Sequence, residues 1–236
     1  SYDSKTNITA ASDESWTVTI SSKNYTDITA TLTFHPTDKL VQDGFKFENG
    51  SVTKTYGDED FTLTATGEVK GSTVTYESSE PEVATVDADG KVTIKSAGTA
   101  IITAKASATE DYDEAAVTCT LTVEKKPITA PAADATVFTY NGTEQTYALA
   151  EDGAYTITGN KQTNANETGY AVTVALKDTA NTQWADGTTA NKTYTFVIGK
   201  AVITVKVKDQ SAYVGDKVPA LGADSYTASG LVGEEK

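Results

Sequence analysis

Polar and apolar residues alternate with a period of two along most of the chain. The pattern is plain in Trp16-Thr-Val-Thr-Ile20, Phe61-Thr-Leu-Thr-Ala65, Lys91-Val-Thr-Ile-Lys95, Ile102-Thr-Ala-Lys-Ala106 and Tyr194-Thr-Phe-Val-Ile198. Successive side chains of a strand point to opposite faces, so each run predicts a half-buried β-strand. Helical spacing of apolar residues is nearly absent. Between the runs stand Asp43-Gly44, Asn49-Gly50, Asp89-Gly90, Asn141-Gly142, Asp152-Gly153 and Asp186-Gly187. Such dipeptides supply the positive φ angles of tight hairpins. Short strands at this spacing predict an all-β chain of small sandwiches, not one large sheet.

Three segments close in the same way. The first runs from Trp16-Thr-Val-Thr-Ile20 through Asn24-Tyr25-Thr-Asp27 to Ala30-Thr-Leu-Thr-Phe34 and Lys39. The second runs from Ala100-Ile-Ile-Thr-Ala104 through Asp111-Tyr112-Asp113 to Thr118-Cys-Thr-Leu-Thr-Val123 and Lys125-Lys126. The third runs from Tyr170-Ala-Val-Thr-Val174 through Asn181-Thr-Gln-Trp184-Ala-Asp186 to Tyr194-Thr-Phe-Val-Ile198 and Lys200. Each is a strand, a loop with an aromatic residue and an Asp, a final strand and a lysine. A module start also recurs, as Lys54-Thr-Tyr56-Gly-Asp58 and as Ala212-Tyr213-Val-Gly-Asp216. Self-similarity at this period marks tandem modules. The boundaries it predicts are a closing part at 1–43, complete modules at 44–126 and 127–200, and an opening part at 201–236.

Composition points the same way. The chain holds 42 threonines, no arginine and no methionine among 236 residues. Threonine loses rotamer freedom in a helix and suits the half-buried face of a sheet. The formal net charge is −14. A polyanion without an arginine fork is ill-suited to neutralise phosphates, which argues against nucleic acid as a partner. It also disfavours docking on an anionic membrane, and no apolar run reaches the length of a spanning helix. The charge is read as a means of keeping β-rich modules soluble.

Residues 44–126 resemble the group 2 bacterial immunoglobulin-like domains of invasin- and intimin-type surface proteins. The carrying run is Val74-Thr-Tyr-Glu-Ser-Ser-Glu-Pro-Glu-Val-Ala-Thr-Val-Asp-Ala-Asp-Gly-Lys-Val-Thr-Ile-Lys-Ser-Ala-Gly-Thr-Ala-Ile-Ile-Thr-Ala104. It combines Ser-Ser-x-Pro-x-Val-Ala-x-Val, Asp-Gly-Lys-Val and Ala-Gly-Thr-Ala in order. Residues 127–200 are similar to MBG-type repeats of bacterial cell-surface proteins, through Tyr140-Asn-Gly-Thr-Glu-Gln145 and Trp184-Ala-Asp-Gly-Thr-Thr189. The resemblance implies tandem immunoglobulin-like β-sandwiches in an extended arrangement, located on the cell surface or in the cell wall of a bacterium. It implies a non-catalytic stalk or spacer of an adhesin-like protein. The alternative is a binding module whose exposed 127–200 loops recognise a host protein or glycan. The chain is expected to be monomeric. Each end piece is expected to pack on, or extend a sheet of, its neighbouring module, with strand complementation between chains as the rival outcome.

Candidate chemistry is sparse. Asp87-Ala-Asp89-Gly90 suggests a calcium loop, but position twelve from Asp87 is Gly98 where a bidentate Glu would stand. A hairpin turn is the expected role, and no metal or other cofactor is expected. Gly57-Asp-Glu-Asp60 and Glu110-Asp-Tyr-Asp-Glu114 read as solvated acidic loops. Any triad would need His35, the one histidine, which precedes Pro36 and stands far from Cys119; no catalytic residue is assigned. Cys119 alternates with Val117, Leu121 and Val123, so its thiol is expected in a core. Trp16 and Trp184 are the candidate ligand contacts, as a platform on which a sugar ring stacks, against a packing role in the repeat.

Overall fold

The computed structural model describes residues 14–34, 39–218, 220 and 222–232. Apart from one 3-10 turn at Ala223–Ser225, every regular element among the described residues is a strand. The chain divides into two compact units, Ser1–Lys126 and Pro127–Lys236.

The first unit opens with β1 (Glu14–Ser22) and β2 (Tyr25–Phe34). They pair antiparallel from Glu14↔Phe34 to Ser22↔Tyr25 and form a two-stranded sheet of their own. The expectation that this piece extends a sheet of its neighbour is corrected here for the hairpin. Val18, Ile20, Ile28 and Leu32 remain at least half exposed. The neighbouring sheet ends in strands that carry Lys54 and Glu77, and charged edges resist further pairing.

The rest of the unit is a sandwich. Its strands are β3 (Lys46–Phe47), β4 (Ser51–Thr55), β5 (Phe61–Thr62), β6 (Ala65–Thr66), β7 (Val74–Ser78), β8 (Ala84–Val86), β9 (Lys91–Ile94), β10 (Gly98–Ala106) and β11 (Ala115–Glu124). One sheet has the order β4-β11-β10-β7, the other β5-β9-β8, with β3 and β6 paired beside them. The chain thus alternates between two sheets in the immunoglobulin-like manner. Alternation sets the core. Ala100, Ile102, Ala104 and Ala106 of β10, and Cys119, Leu121 and Val123 of β11, are buried, whereas Thr118 and Thr120 are exposed. Val92 and Ala84 face them from the other sheet, with Val83, Val86 and Ile94 half-buried around the same core.

Residues 39–45 are held to this sandwich too, so the expected boundary at 43/44 falls inside an anchored segment. Leu40 makes a parallel bridge to Tyr112, donating to the Asp111 carbonyl and accepting from Asp113 N–H at 2.8 and 2.9 Å. Gln42 is buried beside it. Its amide donates to the Ser107 and Asp113 carbonyls at 3.1 and 2.7 Å and accepts from Val69 N–H at 3.3 Å. A buried amide with both ends bonded holds its segment firmly.

The second unit contains β12 (Lys126–Ile128), β13 (Phe138–Thr139), β14 (Gln145–Thr146), β15 (Tyr155–Thr158), β16 (Lys161–Gln162), β17 (Asn166–Leu176), β18 (Thr182–Trp184) and β19 (Lys192–Gly199). A sheet of order β13-β19-β17-β15 is backed by the pairs β14-β16 and β12-β18. Its core is aromatic. Phe196 meets Phe138 edge-on at 4.8 Å and Tyr147 at 5.5 Å between ring centres. After it come β20 (Thr204–Val207) and β21 (Tyr226–Ser229), again a two-stranded sheet, with Val205 and Val207 more than half exposed. The expected extension of the neighbouring sheet is corrected likewise at this end.

The turn dipeptides divide into two kinds. Gly90, Gly142 and Gly187 take positive φ as expected. Gly44, Gly50 and Gly153 do not. Asn49-Gly50 carries the chain from β3 in one pairing to β4 in the other sheet, a crossing that needs no left-handed residue. At Gly90 the requirement is absolute: a Cβ there would stand 2.3 Å from the Leu63 carbonyl oxygen.

Leu121→Ala is expected to destabilise the first sandwich by about 2–5 kcal/mol, and Ile94→Ala by an amount near the lower end of that range because Ile94 is only half-buried. In a Trp16→Phe background, Trp184 fluorescence reports the second unit alone. Its urea midpoint should stay in place while the amide NMR signals of 44–126 are lost earlier. A joint shift of both would show that the units unfold as one.

Candidate functional site

The third repeat aromatic sits in the β17–β19 connection. Asp178 starts this loop as a cap: its Oδ1 accepts from Ala180 and Asn181 N–H, both at 3.1 Å, and its carbonyl from Thr182 N–H at 2.9 Å. The loop then turns inward as β18 and buries Trp184, which is 1% exposed. The indole Nε1–H donates to the Ala190 carbonyl at 2.7 Å, and the ring packs on Tyr155 at 5.7 Å. A buried ring has no face free for a sugar. Trp184 as a ligand contact is therefore corrected: it is a core residue whose N–H pins its own loop. Trp16 lies in β1 opposite Leu32, and its side chain is outside the described residues. With Trp184 buried, its ring is unavailable to a stacking platform. The other repeat aromatics differ in burial, with Tyr25 exposed and Tyr112 half-buried.

The carboxylates of the turns are engaged with backbone. Asp87 Oδ1 accepts from Asp89 N–H and Lys91 N–H at 3.0 and 2.9 Å, closing the β8–β9 hairpin. Asp58 Oδ2 accepts from Thr55 N–H at 2.9 Å, and Asp216 Oδ2 from Tyr213 N–H at 3.2 Å. Both turns place a positive-φ glycine, Gly57 or Gly215, just before the aspartate. This explains the repeated Gly-Asp of the module starts: glycine bends the chain and the carboxylate bonds back across the turn. Asp60 pairs with Lys91 at 2.9 Å. Among the described residues no three His, Cys, Asp or Glu side chains gather as metal ligands.

Asp186 is the most perturbed of these acids. The Lys192 ammonium at 2.5 Å, then the Thr188 hydroxyl and N–H at 2.7 and 3.0 Å, hold its carboxyl well below the usual range. Asp60, bonded by Lys91, and Asp134, bonded by Thr136 and by Ala148 N–H, are lowered as well. Cys119 is fully buried, and burial pushes its thiol up, which makes it inert. His35 lies outside the described residues.

Two residues escaped the sequence reading. Gln42 stands in a polar stretch with no periodicity, so only its burial reveals it. Asp134 spans from Thr136 to Ala148, a contact across fourteen residues that local pattern does not record. The second unit also holds an open cleft of about 380 Å³ lined by Tyr140, Asn164, Lys200, Ile203 and Leu231 among others.

Trp184→Ala should cost the second unit about 3–5 kcal/mol, the range for a fully buried aromatic, measured as a shift of its urea midpoint. A second prediction concerns acid. A carboxyl with a depressed pKa contributes stability above its unfolded value, about 3.9, and loses that contribution as the pH falls. Melting temperatures should therefore fall from pH 6 to pH 3. Asp186→Asn should reduce that fall without abolishing it, because Asp60 and Asp134 still titrate. The Asp186 contribution is small, since the pair is in water.

Comparison with known proteins follows this geometry. A family model of the intimin immunoglobulin-like domain matches residues 58–109, from the Gly57-Asp58 turn past the end of β10. A search of curated proteins found no match. Among solved structures, mouse protocadherin-24 EC1-3 is similar at 13% identity over 81% of this chain and 80% of its own, with a TM-score of 0.34. Domains 4 and 5 of the S-layer protein SbsC are similar at 18% identity over 58% of this chain and 81% of their own, with a TM-score of 0.25. Likenesses of this size add no argument to the strand pairing itself. That pairing is immunoglobulin-like, and the match at 58–109 supports a bacterial immunoglobulin-like domain in the first unit's sandwich.

Proposed function

We propose that the chain is a non-catalytic stalk or spacer segment of an extracellular, adhesin-like bacterial surface protein. The observation that carries this reading is the parallel pairing, in both sandwiches, of the last strand with the first strand to enter its sheet. β4 runs parallel to β11, and β13 parallel to β19. A strand that starts a module beside and parallel to the strand that ends it puts the arriving and departing chain at opposite poles. Each module therefore adds its own length to whatever it connects. The cores support the same reading, since both are filled by their own side chains. The intimin-type match of residues 58–109 supports reading this sandwich as a module of a surface protein, and the MBG-like motifs of 127–200 are read as a second spacer of that kind. The turn carboxylates serve the backbone, which leaves them no catalytic task.

Two measurements test the proposal. In the full surface protein, exchange of 44–200 for two unrelated sandwich modules of equal length should preserve adhesion, while deletion of the segment should reduce it. The isolated chain, immobilised and exposed to glycan arrays and host extracellular proteins, should show no saturable binding. Saturable binding that is lost on substitution in the 127–200 loops would replace the spacer reading with recognition by that module.

A further inference from the structure

We propose that the two sandwiches form a graded mechanical element, in which the β4–β11 pair is a shear clamp and the second sandwich yields first under tension. Tension on the chain pulls β4 toward its N-terminal end and β11 toward its C-terminal end. Because the two strands are parallel and adjacent, these pulls are opposed along one axis. The rungs between them are then loaded together and must fail together. Antiparallel neighbours pulled apart from one end, by contrast, open rung by rung.

The two clamps differ in length. β4 and β11 pair over five positions, from Ser51↔Thr120 to Thr55↔Glu124. Thr120 N–H to the Gly50 carbonyl at 2.9 Å and Tyr56 N–H to the Glu124 carbonyl at 2.8 Å extend the ladder at both ends. Val52 packs its side chain on the core beneath. Upstream, the Leu40 bridge and the Gln42 amide form a second parallel attachment that tension must break before it reaches β4. In the second sandwich the β12–β18 pair likewise stands upstream, and the clamp itself is Phe138↔Ile198 and Thr139↔Gly199, extended by Tyr140 N–H to the Gly199 carbonyl at 2.8 Å. Two pairs shear at a lower force than five. Yielding is a matter of unfolding rate under load and not of equilibrium stability, so the strongly packed aromatic core of the second sandwich does not protect it. Its opening would release roughly 25 nm of chain at 3.3–3.6 Å per residue, a reserve of length that spares the first sandwich.

The inference deepens the spacer reading by naming the load that the segment withstands. It stands on strand order alone, so a result against the clamp leaves the module-exchange experiment intact, and the reverse also holds. The test is single-molecule pulling on the whole chain tethered at its termini. Two unfolding events are expected, the lower one at no more than about two thirds of the force of the higher. Tyr140→Pro, which removes the N–H bonded to the Gly199 carbonyl, should lower only the lower event, which assigns it to 127–200. Lys54→Pro removes an N–H from the β4 edge and should at least halve the higher force. Ile94→Ala, which spares the ladder, should lower the melting temperature while moving that force less. Pulling direction gives a check that needs no weakened clamp. Asp89→Cys offers an exposed thiol in the β8–β9 turn, and Cys119 is buried; tethering from residue 89 to the C-terminus loads the sandwich across its sheets. The force for the first sandwich should then fall to half or less. Equal forces in the two directions, or first failure of the 44–126 sandwich in the terminal geometry, would overturn the proposal.

Discussion

In each sandwich the first strand to join the final sheet lies beside the last strand and runs the same way. That placement depends on a crossing. β3 pairs with β6, yet four residues later β4 lies against β11 in the other sheet. The chain changes sheets over Glu48-Asn49-Gly50, where the Gly50 carbonyl accepts from Thr120 N–H. Once β4 is seated, the edge of the larger sheet is set, Val52 closes one side of the core, and the turn at Tyr56-Gly57-Asp58 is aimed at the second sheet. The order of everything downstream follows: β5 pairs with β9, and the hairpins β8–β9 and β10–β11 fold back on opposite sheets. The second sandwich repeats the device with two pairs in place of five, and its other contacts compensate.

The compensation is chemical. The first core is mainly aliphatic, with Ala84, Ala100, Ala104 and Ala106 letting the sheets approach closely and Phe45, Phe47 and Tyr76 at its side. The Tyr76 hydroxyl accepts from Ala65 N–H at 3.1 Å, and the loops are held by polar residues of their own: Gln42, Asp87 and the Ser107 cluster that bonds Ser72 and Thr73. The second core is built from aromatics that carry a polar tip. Trp184 donates to Ala190, Tyr155 to Ala150 at 2.7 Å and Tyr194 to Pro131 at 2.6 Å. One set of rings thus fills the interior and also ties down three connections, which suits a sandwich with very short strands. Burial pushes the Tyr155 and Tyr194 hydroxyls up, so these ties persist through the physiological range.

Much of this was legible in the chain. Period-two alternation located the long strands β10, β11, β17 and β19 because each has one buried and one wet face. The Gly-Asp of the module starts was visible as a repeat, and its reason, a positive φ followed by a carboxylate bonding back, emerges from the geometry. The run Phe61–Ala65, read as one strand, divides into β5 and β6 in different pairings, and the two-residue strands β3, β13, β14 and β16 were not legible, since two residues hold no period. Trp184 was ambiguous for another reason. It lies in an irregular loop of Asn, Thr, Gln and Asp, where a ring faces outward or inward according to what the facing sheet leaves open. Only the gap beside Tyr155 decides it. Gln42 was hidden because its partners, Ser107 and Asp113, lie more than sixty residues away.

The end hairpins separate pattern from packing. β1 and β2 alternate as regularly as β10 and β11, and they pair in a comparable antiparallel register. Yet Val18 and Leu32 are 50% and 52% exposed, whereas Ile102 and Leu121 are wholly buried. The difference is not in the strands. β10 and β11 have β4 and β7 at their edges and the β5-β9-β8 sheet across their apolar face; β1 and β2 have neither. Alternation therefore states which face is apolar, and the opposing sheet determines whether that face leaves water. A two-stranded ribbon is marginal alone, so the unit of stability here is the completed sandwich, and the repeat length of the chain is the length needed to bring both sheets together.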